Sequence, residues 1–135
     1  MRMATEVRHG LLLVDDEEDI LTAVAEYLEL ELDNVNILVA PDAHRALEIL
    51  QERKDVSMVV SDFRMPGMDG LQFLIEVHRR HPEMPTILMT AYPGADLERA
   101  AQSEAGVWCF LPKPPDLDRL IASINDALAF SRKKT

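Results

Sequence analysis

Apolar residues in this chain gather in short unbroken runs, and the runs alternate with longer stretches where they return every three or four positions. The runs at 9–14, 35–39, 56–61, 85–90 and 107–111 predict five β-strands. "SMVVSD" and "TILMT" are apolar nearly throughout, as strands buried on both faces are. Between the runs, the segments 19–32, 42–53, 70–80, 96–104 and 116–130 predict helices. Their apolar residues keep the i, i+3, i+4, i+7 spacing of one helical face, as Leu117, Leu120, Ile121, Ile124 and Leu128 do in the last. The fourth stripe, Leu97, Ala100 and Ala101, is the weakest. Asp42 and Asp116 each follow a proline and open a helix as N-caps.

Strand and helix therefore alternate five times. Right-handed crossovers turn that order into a parallel sheet with helices on both faces. The expectation is an α/β, flavodoxin-like (βα)5 doubly wound fold with strand order 2-1-3-4-5. Its functional crevice lies at the carboxyl ends of the strands, beside the switch between strands 1 and 3.

Composition narrows the picture. The 135 residues suffice for one domain with one core. We divide them into an N-terminal extension at 1–8, a domain at 9–131 and a basic tail at 132–135, either a solvated helix end or a linker stub. The net charge of −10 disfavours nucleic acid or an anionic membrane as a direct partner, because phosphates would be repelled. No apolar run approaches the ~20 residues of a membrane span. "MRMATEVRHG" lacks the apolar centre of a signal peptide, so a cytoplasmic protein is expected. The single cysteine, Cys109, permits no internal disulfide and reads as a small core residue.

The chemistry stands at the predicted strand ends. Strand 1 runs into Asp15 and Asp16, strand 3 ends at Asp62, strand 4 at Thr90, and Lys113 follows strand 5. Strand 2, on the edge away from the crevice, ends in Ala40 and Pro41 and offers nothing reactive. Carboxylates ~5 Å apart repel by roughly 3 kcal/mol per pair at an effective dielectric of ~20. Either one acid is protonated or a cation neutralises them. An all-oxygen donor set suits a hard ion, Mg²⁺ or Mn²⁺, rather than zinc. His9, His44, His78 and His81 are scattered, and an EF-hand reading of "DDEEDI" fails because Ile20 stands where that loop needs glycine.

A hard cation, one ammonium and one hydroxyl around a carboxylate nucleophile make a phosphoryl-transfer set. Asp62 is the natural nucleophile, held toward solvent by the turn "FRMPGMDG", with Pro66 fixing φ and Gly67 supplying an unusual backbone angle. Capping of that turn is the plainer alternative for Asp62. Glu17, Glu18 and Asp19 read as first-turn acids that complement the helix dipole.

Together "LLLVDDEEDIL", "VVSDFRMPGMDGLQFL", "TILMTAY" and "CFLPKPPD" resemble the receiver domain of two-component response regulators, from about Leu11 to Phe130. The resemblance implies a Mg²⁺-dependent switch that takes a phosphoryl group from a histidine kinase or phosphotransfer protein. It implies Asp62 as acceptor and Asp15, Asp16, Asp62 and the Arg64 main-chain carbonyl as metal ligands. Thr90 then corresponds to the switch hydroxyl, Lys113 to the phosphoryl-pairing lysine and Phe110 to the switch aromatic. It implies that Arg64 and Tyr92 flank the phosphoryl group and tune its hydrolysis. It implies a cis Lys113–Pro114 peptide; Pro115 departs from the aromatic or aliphatic residue usual there and should stiffen the loop.

Phe110 lacks a tyrosine's hydroxyl, so packing must bias any rotamer switch, and a fixed core residue is the alternative. Trp108 is either an interface residue or core beneath the last helix. The surface of the fourth helix, fifth strand and fifth helix is where relatives dock effector domains or a second copy. A haloacid-dehalogenase-type hydrolase is disfavoured, since its nucleophile would follow strand 1 in a D-x-D-x-T/V pattern that "DDEED" lacks. An FMN-binding flavodoxin is disfavoured because that acidic loop repels phosphate. The expected protein is thus a regulatory domain that acts on itself and turns over no metabolite.

Overall fold

The structure, a computed structural model, describes residues 9–133. The expected extension at 1–8, and Lys134 and Thr135 of the expected tail, lie outside the described residues. Five strands and five helices alternate: β1 (His9–Val14), α1 (Glu18–Glu31), β2 (Val35–Ala40), α2 (Ala43–Glu52), β3 (Val56–Asp62), α3 (Gly70–Arg80), β4 (Thr86–Thr90), α4 (Ala95–Glu104), β5 (Cys109–Pro112) and α5 (Leu117–Lys133). The strands form one parallel sheet in the order β2-β1-β3-β4-β5. That is the expected topology.

Side chains of a strand alternate between faces, and both faces here are apolar. Leu11, Leu13, Met58, Val60, Ile87, Met89 and Leu111 pack with Leu21, Leu28, Leu120 and Ile124 of α1 and α5. Leu12, Val14, Val59 and Leu88 pack with Ala46, Phe73, Leu74 and Ala101 of α2, α3 and α4. Burying each large aliphatic side chain contributes about 1.5–3 kcal/mol, so the two layers together hold the helices to the sheet. Asp42 and Asp116 cap as expected, accepting from the N–H groups of Arg45 at 2.8 Å and Arg119 at 3.2 Å.

Element edges move where neighbours decide them. β5 starts at Cys109, not at residue 107. Val107 N–H is still bound to the Ala101 carbonyl at the end of α4, after Gly106 turns the chain at φ +57°. Trp108 therefore precedes the strand. Its ring packs at a 44° tilt against Phe130 of α5 with centroids 4.9 Å apart, yet it stays 39% exposed, so it is neither pure core nor a bare surface aromatic. Cys109 is half-buried, and burial pushes its thiol above the ordinary value. α5 continues to Lys133, which makes the start of the expected tail helical.

Candidate functional site

Strand parity explains why the reactive residues meet. Leu13, Val60 and Leu111 all face the α1–α5 layer. Asp15, Asp62 and Lys113 each stand two residues further along, so they leave the same side of the sheet edge. Register sets their height: Val14 pairs with Ser61, Asp62 with Met89 and Met89 with Leu111. The result is a cluster from three strand ends. The Lys113 ammonium donates to Asp15 Oδ2 at 2.9 Å, to Asp62 Oδ2 at 3.0 Å and to Glu17 Oε1 at 3.1 Å.

The loop after β3 holds Asp62 in place, but buried at 4% exposure under Lys113 and not toward solvent as expected. Gly67 adopts φ +78°, the left-handed region that Gly enters without a Cβ penalty. The chain then folds back so tightly that Gly70 N–H donates to the Phe63 carbonyl at 2.7 Å. A Cβ on Gly70 would collide with the Asp62 carbonyl oxygen. Asp69 closes a capping box: its carboxylate accepts from Gln72 N–H at 2.8 Å, and the Gln72 side chain accepts from Asp69 N–H at 3.0 Å.

Burial and charge oppose each other here. Burial raises the pKa of Asp62, the Lys113 hydrogen bond opposes it, and the charge of Asp15 pushes the same way as burial. Burial alone would lower the pKa of Lys113, but hydrogen bonds to Asp15, Asp62 and Glu17 outweigh it and hold the ammonium above the usual lysine value. One cation thus serves three carboxylates. Asp15, Asp16 and Asp62 each offer an oxygen within 4.8 Å of the others, the one such group of metal-ligating side chains among the described residues. Asp15 and Asp62 are buried, Asp16 is exposed, and all donors are carboxylate oxygens. This oxygen-only, net-negative set fits Mg²⁺ or Mn²⁺.

The remaining expected residues take these places. Arg64 lies on the exposed β3–α3 loop, in a groove shared with Asp16, Phe63, Met65, Pro66 and Asp69. Its guanidinium carbon sits 5.0 Å from the centre of the Tyr92 ring, on the β4–α4 loop. Thr90 is buried at the end of β4; its hydroxyl accepts from Tyr92 N–H at 3.1 Å and is outside the Lys113 cluster. The Thr90 carbonyl accepts from Lys113 N–H at 2.8 Å, which ties the two loops together. Phe110 is partly buried against the α2–α4 layer. The Lys113–Pro114 peptide is cis. Pro115 lines a small void with Lys113, Ile20, Val24 and Met89.

Glu17 departs from expectation. It is the N-cap residue of α1 but makes no capping bond, and its carboxylate reaches Lys113 instead. Asp15 Oδ1 accepts from Glu17 N–H at 2.9 Å, an Asx-type turn that brings Glu17 back over the cluster. The turn-forming aspartate two residues before Glu17 was the signal in the sequence. Glu18 and Asp19 do occupy the first turn of α1.

A family model described as "Response regulator receiver domain" matches residues 11–125. The transcriptional regulatory protein GlrR of Escherichia coli (strain K12) is 38% identical over 125 residues, 93% of this chain and 27% of that protein. CpxR of Klebsiella pneumoniae subsp. pneumoniae (strain HS11286), also a transcriptional regulatory protein, is 35% identical over 118 residues, 87% of this chain and 48% of that protein. The chain spans about a quarter of the length of the first of these relatives. The signal receiver domain of an HD domain-containing protein from Pseudomonas fluorescens Pf-5 superposes with a TM-score of 0.87 at 32% identity, covering 93% of this chain and 98% of that one.

Proposed function

The chain belongs to the response regulator receiver domain family, and from that membership we propose that it is a phosphorylation-controlled switch whose acceptor is Asp62. One observation carries the assignment: a buried carboxylate, within 3.0 Å of a lysine ammonium, shares its pocket with two further aspartates. In the reaction one Asp62 oxygen attacks the phosphorus of a phosphohistidine on a histidine kinase or phosphotransfer protein. The new O–P bond forms as the P–N bond breaks, and the electron pair returns to the imidazole.

Each neighbour has a task. Lys113 binds a phosphoryl oxygen and offsets its charge. Thr90 turns its hydroxyl toward the phosphoryl group, and Phe110 follows it inward. Asp15, Asp16, Asp62 and the Arg64 main-chain carbonyl would hold Mg²⁺ (or Mn²⁺), which neutralises phosphoryl charge when bound. Arg64 and Tyr92 tune the lifetime of the phosphoryl group by covering the approach of water. The domain catalyses its own phosphorylation and dephosphorylation and acts on no separate metabolite.

The readout is the surface of α4, β5 and α5, through which a second copy or an effector domain docks. Of α4, only Ala101 is buried, so little packing opposes its rearrangement. The net charge of −10 argues against direct nucleic-acid binding by this domain. Among the described residues no helix is long and apolar enough to cross a membrane; family membership supports work in the cytoplasm.

Incubation with Mg²⁺ and acetyl phosphate tests the assignment. The expected product is a hydroxylamine-sensitive phospho-adduct on the wild-type protein and none on Asp62→Asn. An undiminished adduct on the variant would place the acceptor elsewhere.

A further inference from the structure

Lys113 has spent its donors before any phosphoryl group arrives. An ammonium carries three N–H donors, and here they go to Asp15, Asp62 and Glu17. A phosphoryl oxygen can reach the nitrogen only by displacing one of them. The three partners are unequal. The Asp15 and Asp62 side chains are 3% and 6% exposed, while that of Glu17 is 57% exposed. Asp15 is further tied by the Glu17 amide. Glu17 is therefore the partner that returns to water at least cost.

We infer that Glu17 is a positioning residue acting through Lys113: in the unphosphorylated protein its carboxylate occupies the ammonium donor that a phosphoryl oxygen takes over, and so it opposes phosphorylation. This rests on Asp62 as acceptor. Two effects share one sign. The carboxylate competes for the donor, and its charge meets an anionic phosphodonor at the mouth of the pocket. Neither depends on the α1 cap, because the Glu17 side chain makes no capping bond.

The test compares wild type, Glu17→Gln and Glu18→Gln in Mg²⁺, following phospho-adduct by intact mass across acetyl phosphate concentrations. Glu18 stands next in the chain at the start of α1, so its variant makes the same change in net charge and helix-end charge away from Lys113. Glu17→Gln should reach a given labelling rate at about two- to five-fold lower donor concentration, the worth of one exposed ion pair. Glu18→Gln should track wild type. Equal or slower labelling of Glu17→Gln, or an equal gain in Glu18→Gln, would overturn the inference while leaving Asp62 as acceptor. Absence of labelling on wild type, or its persistence on Asp62→Asn, would instead remove the acceptor assignment and this inference with it.

Discussion

Asp62 sits where its own charge is disfavoured. Burial raises its pKa despite the Lys113 contact. A carboxyl whose folded pKa exceeds its unfolded value weakens the fold as pH rises through that raised pKa. Asp62→Asn should accordingly be more stable than wild type at neutral pH in chelated buffer. Each kcal/mol gained corresponds to about 3–5 °C in a domain of this size. The advantage should shrink as pH falls through the raised value toward the ordinary aspartate pKa of about 4, because wild-type Asp62 then takes up its proton. Thermal midpoints of both proteins across that range measure the gap, and a gap that widens on acidification would contradict the account. Lys113 is the counterpart: with Asp15 and Glu17 still beside it, the loss of one carboxylate does not strand its charge.

At the scale of elements, three strand ends and two loops make the site. The strands fix direction, since two-residue periodicity carries the apolar α1–α5 face into Asp15, Asp62 and Lys113. The loops fix access. The β3–α3 loop is pinned by its Asp69 capping box and the close approach at Gly70. It is joined to the β4–α4 loop by the Arg64–Tyr92 stack. A cation–π contact at an exposed site is worth about 0.5–1 kcal/mol. If that stack shields the phosphoryl group, Arg64→Ala or Tyr92→Ala should speed hydrolysis of phosphorylated protein by about two- to five-fold. Both substitutions together should add little more, since either one removes the same contact. Dephosphorylation half-lives after gel filtration decide it; three unchanged half-lives would assign the two side chains no part in tuning.

Over the whole molecule, the parallel sheet gathers repelling acids at one end, and the core is what holds them there. A cation bound by the folded site alone must therefore stabilise the fold. At ten times its dissociation constant Mg²⁺ should add about 1.4 kcal/mol. The rise in thermal midpoint should vanish on chelation and be much reduced in Asp16→Asn, which removes one exposed carboxylate of the three. A Mg²⁺ response of Asp16→Asn equal to that of wild type would exclude Asp16 from the ligand set.

The linear pattern was enough to establish the alternation of five strands and five helices and the residues standing at the carboxyl ends. Alternation and strand ends follow from local periodicity and chain connectivity; the strand order was favoured by the five-unit flavodoxin-like class and is what the sheet shows. The linear pattern was enough, too, for the Asp42 and Asp116 caps and the turn at Gly67, which are local backbone chemistry. The partner of Glu17 was not legible, because whether an acid at a helix start serves the dipole or a lysine 96 positions away depends on where the last strand lands. The start of β5 and the half-covered Trp108 were likewise settled by α4 and α5 pressing on them. Periodicity names the face a residue takes; only packing brings distant residues into contact on it.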